Sequence, residues 1–510
     1  VDSHKIRAVI AVLILLASLA GGVWTAVAQE VQPPFEPTSP HDEFKAGQIL
    51  VKFRERVSTD LAEDVLQQVD AVYVRSLYGS DIEVWQVPEG SELATAERLD
   101  ANPLIEYAEP NYRVYAFDTV PNDPSYGKQW AHTIMQSPAA WDITTGKTNV
   151  TIAILDTGID ETHPDLVGKI VPGYDYVDND NNPHDENGHG THCAGIAAAV
   201  TNNGVGVAGM NWKARIMPIR VLDAEGSGYV DVLAEGIFWA YAQGARVLSI
   251  SLGGSQYSLS VQDAVNAARA SGSLVVASMG NDNSSQPMYP AAYSKVLAVA
   301  ATGRNDLRAP YSNYGSHCDV AAPGGNMAAY HDPQGIYSTM PTYPVHMTTF
   351  DDYYMNYDYV HGTSQATPYV AGLAALLWGL EPSLTPDQVE TTLENTAVDK
   401  GALGWDPYYG HGRVNALAAL RVYSRPVAPL LSPIGNADGD GLYLVDWNDV
   451  PYATAYRLEE DDNPFFTTPA VRYSGANSQY QVTGQPGGTW YYRVRGSNGY
   501  GDSPWSNVGW

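Results

Sequence analysis

The chain has 510 residues, with 57 Asp and Glu against 28 Lys and Arg, and a formal net charge of −29 at pH 7. So large an acidic excess works against nucleic-acid or anionic-membrane binding, which need a basic face. Length alone gives a soft expectation of about three domains.

The chain opens on the basic string His4-Lys5-Ile6-Arg7, an apolar stretch over 8–20 and the small-residue site Ala26-Val27-Ala28 before Gln29. That is the layout of a secretory leader, so 1–28 is expected to be removed on export. The uncharged stretch 8–28 is also long enough to span a bilayer if left uncleaved. No cysteine follows it, so a lipid anchor there has no support. After a linker over 29–45, residues 46–116 read as a small α+β unit. Alternation marks strands at 49–53 and 82–87, helical runs cover 59–69 and 91–99, and 105–112 closes the unit.

Residues 117–422 form the next expected domain. The apolar run 150–155 reads as a buried parallel strand and leaves Asp156 at the carboxyl edge of a sheet, where Thr157-Gly158 turns the chain. In Asn187-Gly188-His189-Gly190-Thr191-His192 the imidazole of His189 stands between two glycines and opens a helical run over 191–200. Strands at 215–221, 247–251, 274–277 and 296–301 alternate with helices at 229–242 and 260–270. This alternation predicts a parallel sheet with helices on both faces. In His361-Gly362-Thr363-Ser364-Gln365-Ala366-Thr367-Pro368 the serine precedes the helical run 366–379, with Pro368 expected in its first turn. A helix N-terminus favours incoming negative charge. Serine is a poor nucleophile without an oriented base, so Asp156, His189 and Ser364 together imply a nucleophilic triad. A zinc site on the histidine string is disfavoured, because the paired histidines four apart and their glutamate are missing.

Other segments of this domain carry lesser signals. Ser251-Leu252-Gly253-Gly254 ends a strand in bare backbone able to pair with an extended peptide. The loop holding Asp175, Asp178, Asp180 and Asn182 has the oxygen density a hard cation wants, although it is no EF-hand and also reads as a plain acidic loop. Cys193, behind His189, reads as a buried thiol. A bridge to Cys318 is permitted but not established by sequence. After a Pro-rich linker at 423–432, short alternating runs at 442–447, 455–459, 471–473, 480–482 and 490–495 predict a small all-β sandwich over 433–510.

The three catalytic strings, their order, and the run from His189 through Cys193 to Asn203 resemble the subtilisin-type serine proteases, in particular their thermitase-like branch, over about residues 120–422. The resemblance implies a secreted endopeptidase that cleaves peptide bonds of proteins through an acyl-enzyme and is made as a self-processing zymogen. It makes 46–116 a ferredoxin-like inhibitory propeptide, the chain's own intramolecular partner, with maturation cleavage expected between about 112 and 119. It assigns Asn281 as an oxyanion donor beside the Ser364 N–H, where sedolisin-like relatives would use an aspartate. It also implies a primary pocket walled by Ser251, Leu252 and Gly253 on one side and Ala277, Met279 and Gly280 on the other. Met288 would be its floor, and Asp282 near the rim would favour a shallow pocket tolerant of a basic group.

The same resemblance implies structural calcium at two places. One is the Asp175–Asp180 loop with Asn182, where His184 replaces the usual amide. The other combines Asp123, Asp165 and Asn203 side chains with the carbonyls of Val200, Val205 and Val207. The last domain resembles a fibronectin type III module. Three departures stand out: Gln365 where methionine is usual, His361 for a small residue, and a Tyr- and Asp-rich extension over 341–360 that reads as a flap or a solvated decoration. A catalytically silent binding protein working through its sandwich is the competing class, and four intact catalytic groups weigh against it. The expected enzyme is a monomer that binds neither nucleic acid nor, after leader removal, membrane.

Overall fold

The computed structural model describes residues 44–510 apart from 55–56, 58, 78–79, 89, 101, 113–118 and 436–438. The leader, most of the 29–45 linker and nearly all of the expected cleavage region therefore lie outside the described residues. The chain parts into two units after residue 117.

The first unit runs β1 (Phe44–Phe53), α1 (Thr59–Gln67), β2 (Val72–Ser76), β3 (Ile82–Gln86), α2 (Glu92–Asp100), β4 (Ile105–Tyr112). Its four antiparallel strands lie in the order β2-β3-β1-β4. This is the ferredoxin-like arrangement. Ile49, Val51, Leu66, Trp85, Leu99 and Ile105 are buried between sheet and helices. Strand β2 was not expected from the sequence. All five of its residues are exposed, so no alternation of apolar and polar positions announces it.

The second unit begins with the short helices α3 (Trp130–Ile134) and α4 (Ser137–Trp141), then β5 (Thr151–Asp156), β6 (Tyr174–Asp175), α5 (His189–Ala198), β7 (Arg215–Arg220) and α6 (Val230–Ala242). It continues through β8 (Val247–Ile250), α7 (Leu259–Ala270), β9 (Leu274–Ser278), β10 (Val296–Thr302) and β11 (Val320–Pro323). These seven strands pair in parallel in the order β11-β10-β9-β8-β5-β7-β6. Strands covered on both faces are apolar throughout, and β8, β9, β10 and β11 are buried at every position. One face packs on α5 and on α9 (Thr363–Leu380), the other on α6 and α7. The chain builds outward in both directions from β5, so the carboxyl ends of β5 and β8 flank the point where strand order reverses. Ligand crevices form at such points.

Between β11 and α9 lie β12 (Ile336–Thr339), α8 (His346–Phe350) and β13 (Tyr357–Val360). The extension is thus no solvated decoration: β13 pairs with β12, and Met340, Met347 and Val360 form a small core. After α10 (Pro386–Asn395) and α11 (Ala416–Arg421) come β14 (Tyr443–Asp446), β15 (Ala455–Asp461), β16 (Ala470–Gly475), β17 (Gln479–Val482), β18 (Tyr491–Asn498) and β19 (Gly501–Asp502). They form two antiparallel sheets, β14-β17 and β16-β15-β18-β19, around Val445, Trp447, Leu458, Tyr492 and Val494. Among the described residues no helix is long and apolar enough to cross a membrane.

Candidate active site

Strand β5 ends on Asp156, and helix α5 begins on His189. The Nδ1 of His189 lies 2.7 Å from Asp156 Oδ1, which also accepts the Thr157 N–H at 2.8 Å. Asp156 is fully buried, and its Oδ2 has no hydrogen-bond partner among the described residues. Burial opposes charge on His189, but the adjacent Asp156 outweighs it and holds the imidazole well above its ordinary value. Gly190 is what lets α5 seat here: a Cβ on it would come within 2.1 Å of the Gly158 carbonyl and 3.2 Å of Asp156 Cβ. A second carboxylate fixes this corner. Asp185 accepts from the N–H groups of Asn187, Gly188 and Thr191 and from the hydroxyls of Thr157 and Thr191. The Thr157 hydroxyl in turn accepts the Gly190 N–H at 2.9 Å.

Ser364 is the second residue of α9, and its Oγ donates to the Ser251 carbonyl at 3.0 Å. Because α9 begins at Thr363, Pro368 sits in its second turn and not in the first as expected. It offers no N–H to the Ser364 carbonyl four residues earlier. That carbonyl instead accepts from Ser251 Oγ at 2.9 Å and Cys193 Sγ at 3.5 Å. Cys193 and Cys318 are both buried and unpaired, and burial pushes both thiols up in pKa.

Asn281 follows β9. Its Oδ1 accepts both the N–H and the hydroxyl of Thr363, at 2.9 and 3.0 Å. With Oδ1 occupied, Nδ2 is left as the free donor. A Cβ on Gly362 would lie 3.3 Å from Asn281 Nδ2 and 3.6 Å from Ser364 N. The two donors therefore border one small space, with Gln365 Oε1 3.0 Å from the same point, and a side chain at 362 would crowd it.

A cavity of about 870 Å³ runs along this corner, lined among others by His189, Asn187, Ser251, Leu252, Gly253, Tyr289 and Met347. Met288 bridges the two expected walls: its Cγ would be 3.3 Å from a Cβ on Gly280, and its Cβ 3.9 Å from one on Gly253. The opposite wall offers a different kind of surface. Ala277 and Met279 are fully buried in the core under α6 and α7, with the Met279 carbonyl held by Asn313 Nδ2. Both side chains are spent on core packing, Ala277 within β9 and Met279 just after it. Only backbone is left to serve there. Asp282 is exposed.

The two acidic loops differ. Asp123 and Asp165 are buried, 4% and 0% exposed, and have no ion-pair partner among the described residues. Asp123 accepts the N–H groups of Asn202 and Asn203, while Asp165 accepts Asn203 Nδ2 and the Val207 N–H. The Val200 N–H binds the Asp165 carbonyl at 2.6 Å, and the Val205 N–H binds Asn203 Oδ1. Burial raises the Asp165 carboxyl despite these bonds. A buried carboxylate pair lacking a cation fits the hard-cation expectation. In the other loop, Arg220 reaches Asp175 at 2.9 Å, Asp178 at 2.7 Å and Glu186 at 2.6 Å. Asp175 Oδ1 is used by two backbone N–H groups, and Asp180 and Asn182 are exposed. Arg220 already occupies Asp175 Oδ2 and Asp178 Oδ2, and Asp180 and Asn182 turn to solvent, so these donors do not converge on a cation as the buried Asp123 and Asp165 do. Asp175–Arg220 is the costly pair to break, by about 3–5 kcal/mol, since both members are buried; Asp178 and Glu186 are half exposed or more and count for little.

Sequence reasoning missed Asp185, Thr363 and Arg220, whose roles depend on contacts across loops. It also missed the use of His184, which stacks on Tyr343 of the extension with ring centroids 4.4 Å apart. Gln365 is buried, and neither polar atom of its amide has a partner among the described residues. His361 accepts the Met327 N–H at Nδ1, 2.7 Å.

Comparison with known proteins places these features. Residues 147–412 match the family model described as Subtilase family, and residues 32–111 match the fervidolysin N-terminal prodomain. The chain is 41% identical over 377 residues to a thermophilic serine proteinase of Bacillus sp. (strain AK1), covering 73% of this chain and 87% of that one. It is 47% identical over 302 residues to thermitase of Thermoactinomyces vulgaris, covering 59% and 99%. Among solved structures, a protease of Pseudoalteromonas arctica PAMC 21717 aligns with a TM-score of 0.55 at 37% identity, over 60% of this chain and 99% of that one.

Proposed function

The chain belongs to the subtilase family and is a serine endopeptidase made as a zymogen, and on that footing we propose which of its atoms do the work. Ser364 is the nucleophile. Its hydroxyl leaves the Ser251 carbonyl, gives its proton to His189 and attacks the scissile carbonyl carbon, forming a tetrahedral oxyanion. His189 then delivers that proton to the leaving amine, and the same steps with water release the acyl group. Asp156 fixes the imidazole through Nδ1 and stabilises its charged form. Asn281 Nδ2 and the Ser364 N–H receive the oxyanion. The observation that carries this reading is the disposition of Asn281, whose carbonyl is spent on Thr363 so that its amide N–H faces the space bordered by Ser364 N.

Substrate binds as an extended strand beside Ser251, Leu252 and Gly253, with Met288 closing the primary pocket and keeping it shallow. Calcium belongs to the Asp123, Asp165 and Asn203 loop, where it would supply the missing counter-charge and stabilise the fold; the carbonyls of Val200, Val205 and Val207 complete the oxygen set. Residues 46–116 act as the intramolecular inhibitor, the mature enzyme is a secreted monomer without stable membrane association, and 433–510 is a fibronectin type III-like module. The purified full chain should process itself, with a new N-terminus between residues 112 and 119. Ser364→Ala should stay full length under the same conditions. Processing of that variant on its own would overturn the assignment.

A further inference from the structure

The 341–360 extension is fastened to the loop that leads into His189. The His346 N–H binds the Glu186 carbonyl at 2.9 Å, and the Met347 N–H binds the Asn187 carbonyl at 3.0 Å. Tyr343 stacks on His184 and donates to the Asp185 carbonyl at 3.0 Å. Tyr354 stacks on His331, with ring centroids 3.7 Å apart and planes 7° apart, and His331 Nδ1 lies 2.7 Å from the buried Asp358. Two stacked His–Tyr pairs, one near each end, and the small core under Met347 make the extension a fixed wall.

That wall belongs to the same cavity as His189 and Ser251. Asp351, Tyr353 and Tyr330 line it together with Glu225 from the loop after β7, and among the described residues no lysine or arginine lines it. Among the described residues, neither the Asp351 nor the Glu225 carboxylate has a hydrogen-bond or ion-pair partner. The rings of Tyr330 and Tyr353 stand edge to face, 4.8 Å apart. Unpaired carboxylates and tyrosine rings lining one cavity are complementary to a guanidinium or ammonium, which can stack on a ring while its N–H groups reach a carboxylate. We propose that the extension forms a specificity subsite for a Lys or Arg side chain of the peptide substrate, at a position other than P1, with Asp351 as its principal anion. The proposal rests on the endopeptidase reading.

The test is cleavage of an internally quenched peptide library, varied at each position from P4 to P3′, by the mature enzyme. One position besides P1 should favour Lys and Arg over Gln and Leu. Asp351→Asn should cut that preference roughly fivefold, the size of a partly exposed charge pair. Asp351→Lys should turn it toward Glu and Asp. Asp263→Asn, on the outer helix α7, should change nothing. No basic preference outside P1, a preference untouched by both Asp351 changes, or an equal loss in Asp263→Asn would overturn the subsite. A library left uncut by the parent enzyme would instead overturn the endopeptidase reading beneath it.

Discussion

Thr363→Val isolates the orientation of Asn281 from the rest of the active site. Valine keeps the shape of this buried residue but removes the hydroxyl, and with it the 3.0 Å bond to Asn281 Oδ1. The 2.9 Å bond from the Thr363 N–H remains, so the amide is loosened and not released. A neutral hydrogen bond contributes about 1 kcal/mol, which converts to roughly a fivefold fall in kcat. KM should hold, because the oxyanion exists only in the transition state. The same hydroxyl accepts the Gly280 N–H at 3.1 Å. Stranding that donor should cost about 1–3 kcal/mol of stability, visible as a drop in Tm. Asn281→Ala removes the oxyanion donor itself and should cost about 10² to 10³ in kcat, the range seen when such a donor is removed from a subtilisin. The decisive comparison is the double variant: on the Asn281→Ala background, Thr363→Val should no longer lower kcat, although it should still lower Tm. A fivefold fall on both backgrounds would mean that the threonine acts through the helix and not through the amide.

The acid limb of kcat/KM reports His189, which must be neutral to act as a base. Asp156 favours its charged form and lifts it above 6.5, so activity should be present above that raised value and lost as pH falls through it. Asp156→Asn should shift the limb downward and cost about 10⁴ in kcat; a parent limb at or below 6.5 contradicts the account. Calcium at 100 times its Kd should add about 2.7 kcal/mol. EDTA should therefore lower Tm, Asp165→Asn should abolish the difference, and an unchanged Tm in EDTA would remove calcium from the account. Gln365→Met replaces an amide whose two polar atoms are buried without partners among the described residues, so Tm should rise while peroxide inactivates the variant faster than the parent. A lower Tm, or peroxide resistance equal to the parent, would count against it.

The elements that position catalysis were legible because their signals are local. The apolar run ending at Asp156, the glycines around His189 and the helical run after Ser364 each mark their own strand or helix. What remained hidden depends on distant partners. Nothing near Thr363 indicates that it grips Asn281 across the sheet, and nothing near Asp175 indicates that Arg220 will neutralise it. The resemblance puts Met279 at the pocket wall, and its side chain is packed in the core, so what it can present there is backbone. Pro368 fell one turn from its expected place because the helix starts earlier than its apolar run, and the freed carbonyl explains why Ser251 and Cys193 are where they are. The tyrosines of 341–360 read as surface residues until their histidine partners, 184 and 331, were brought beside them by the fold.

The central claim is that Ser364, activated by His189, is the attacking atom. A fluorophosphonate probe applied to the mature protein tests it most directly, with the labelled peptide identified by mass spectrometry. One label per chain should appear, on Ser364, lost in Ser364→Ala and slowed severely in His189→Ala. Labelling that persists in Ser364→Ala, or an unlabelled parent protein freed of its prodomain, would contradict it.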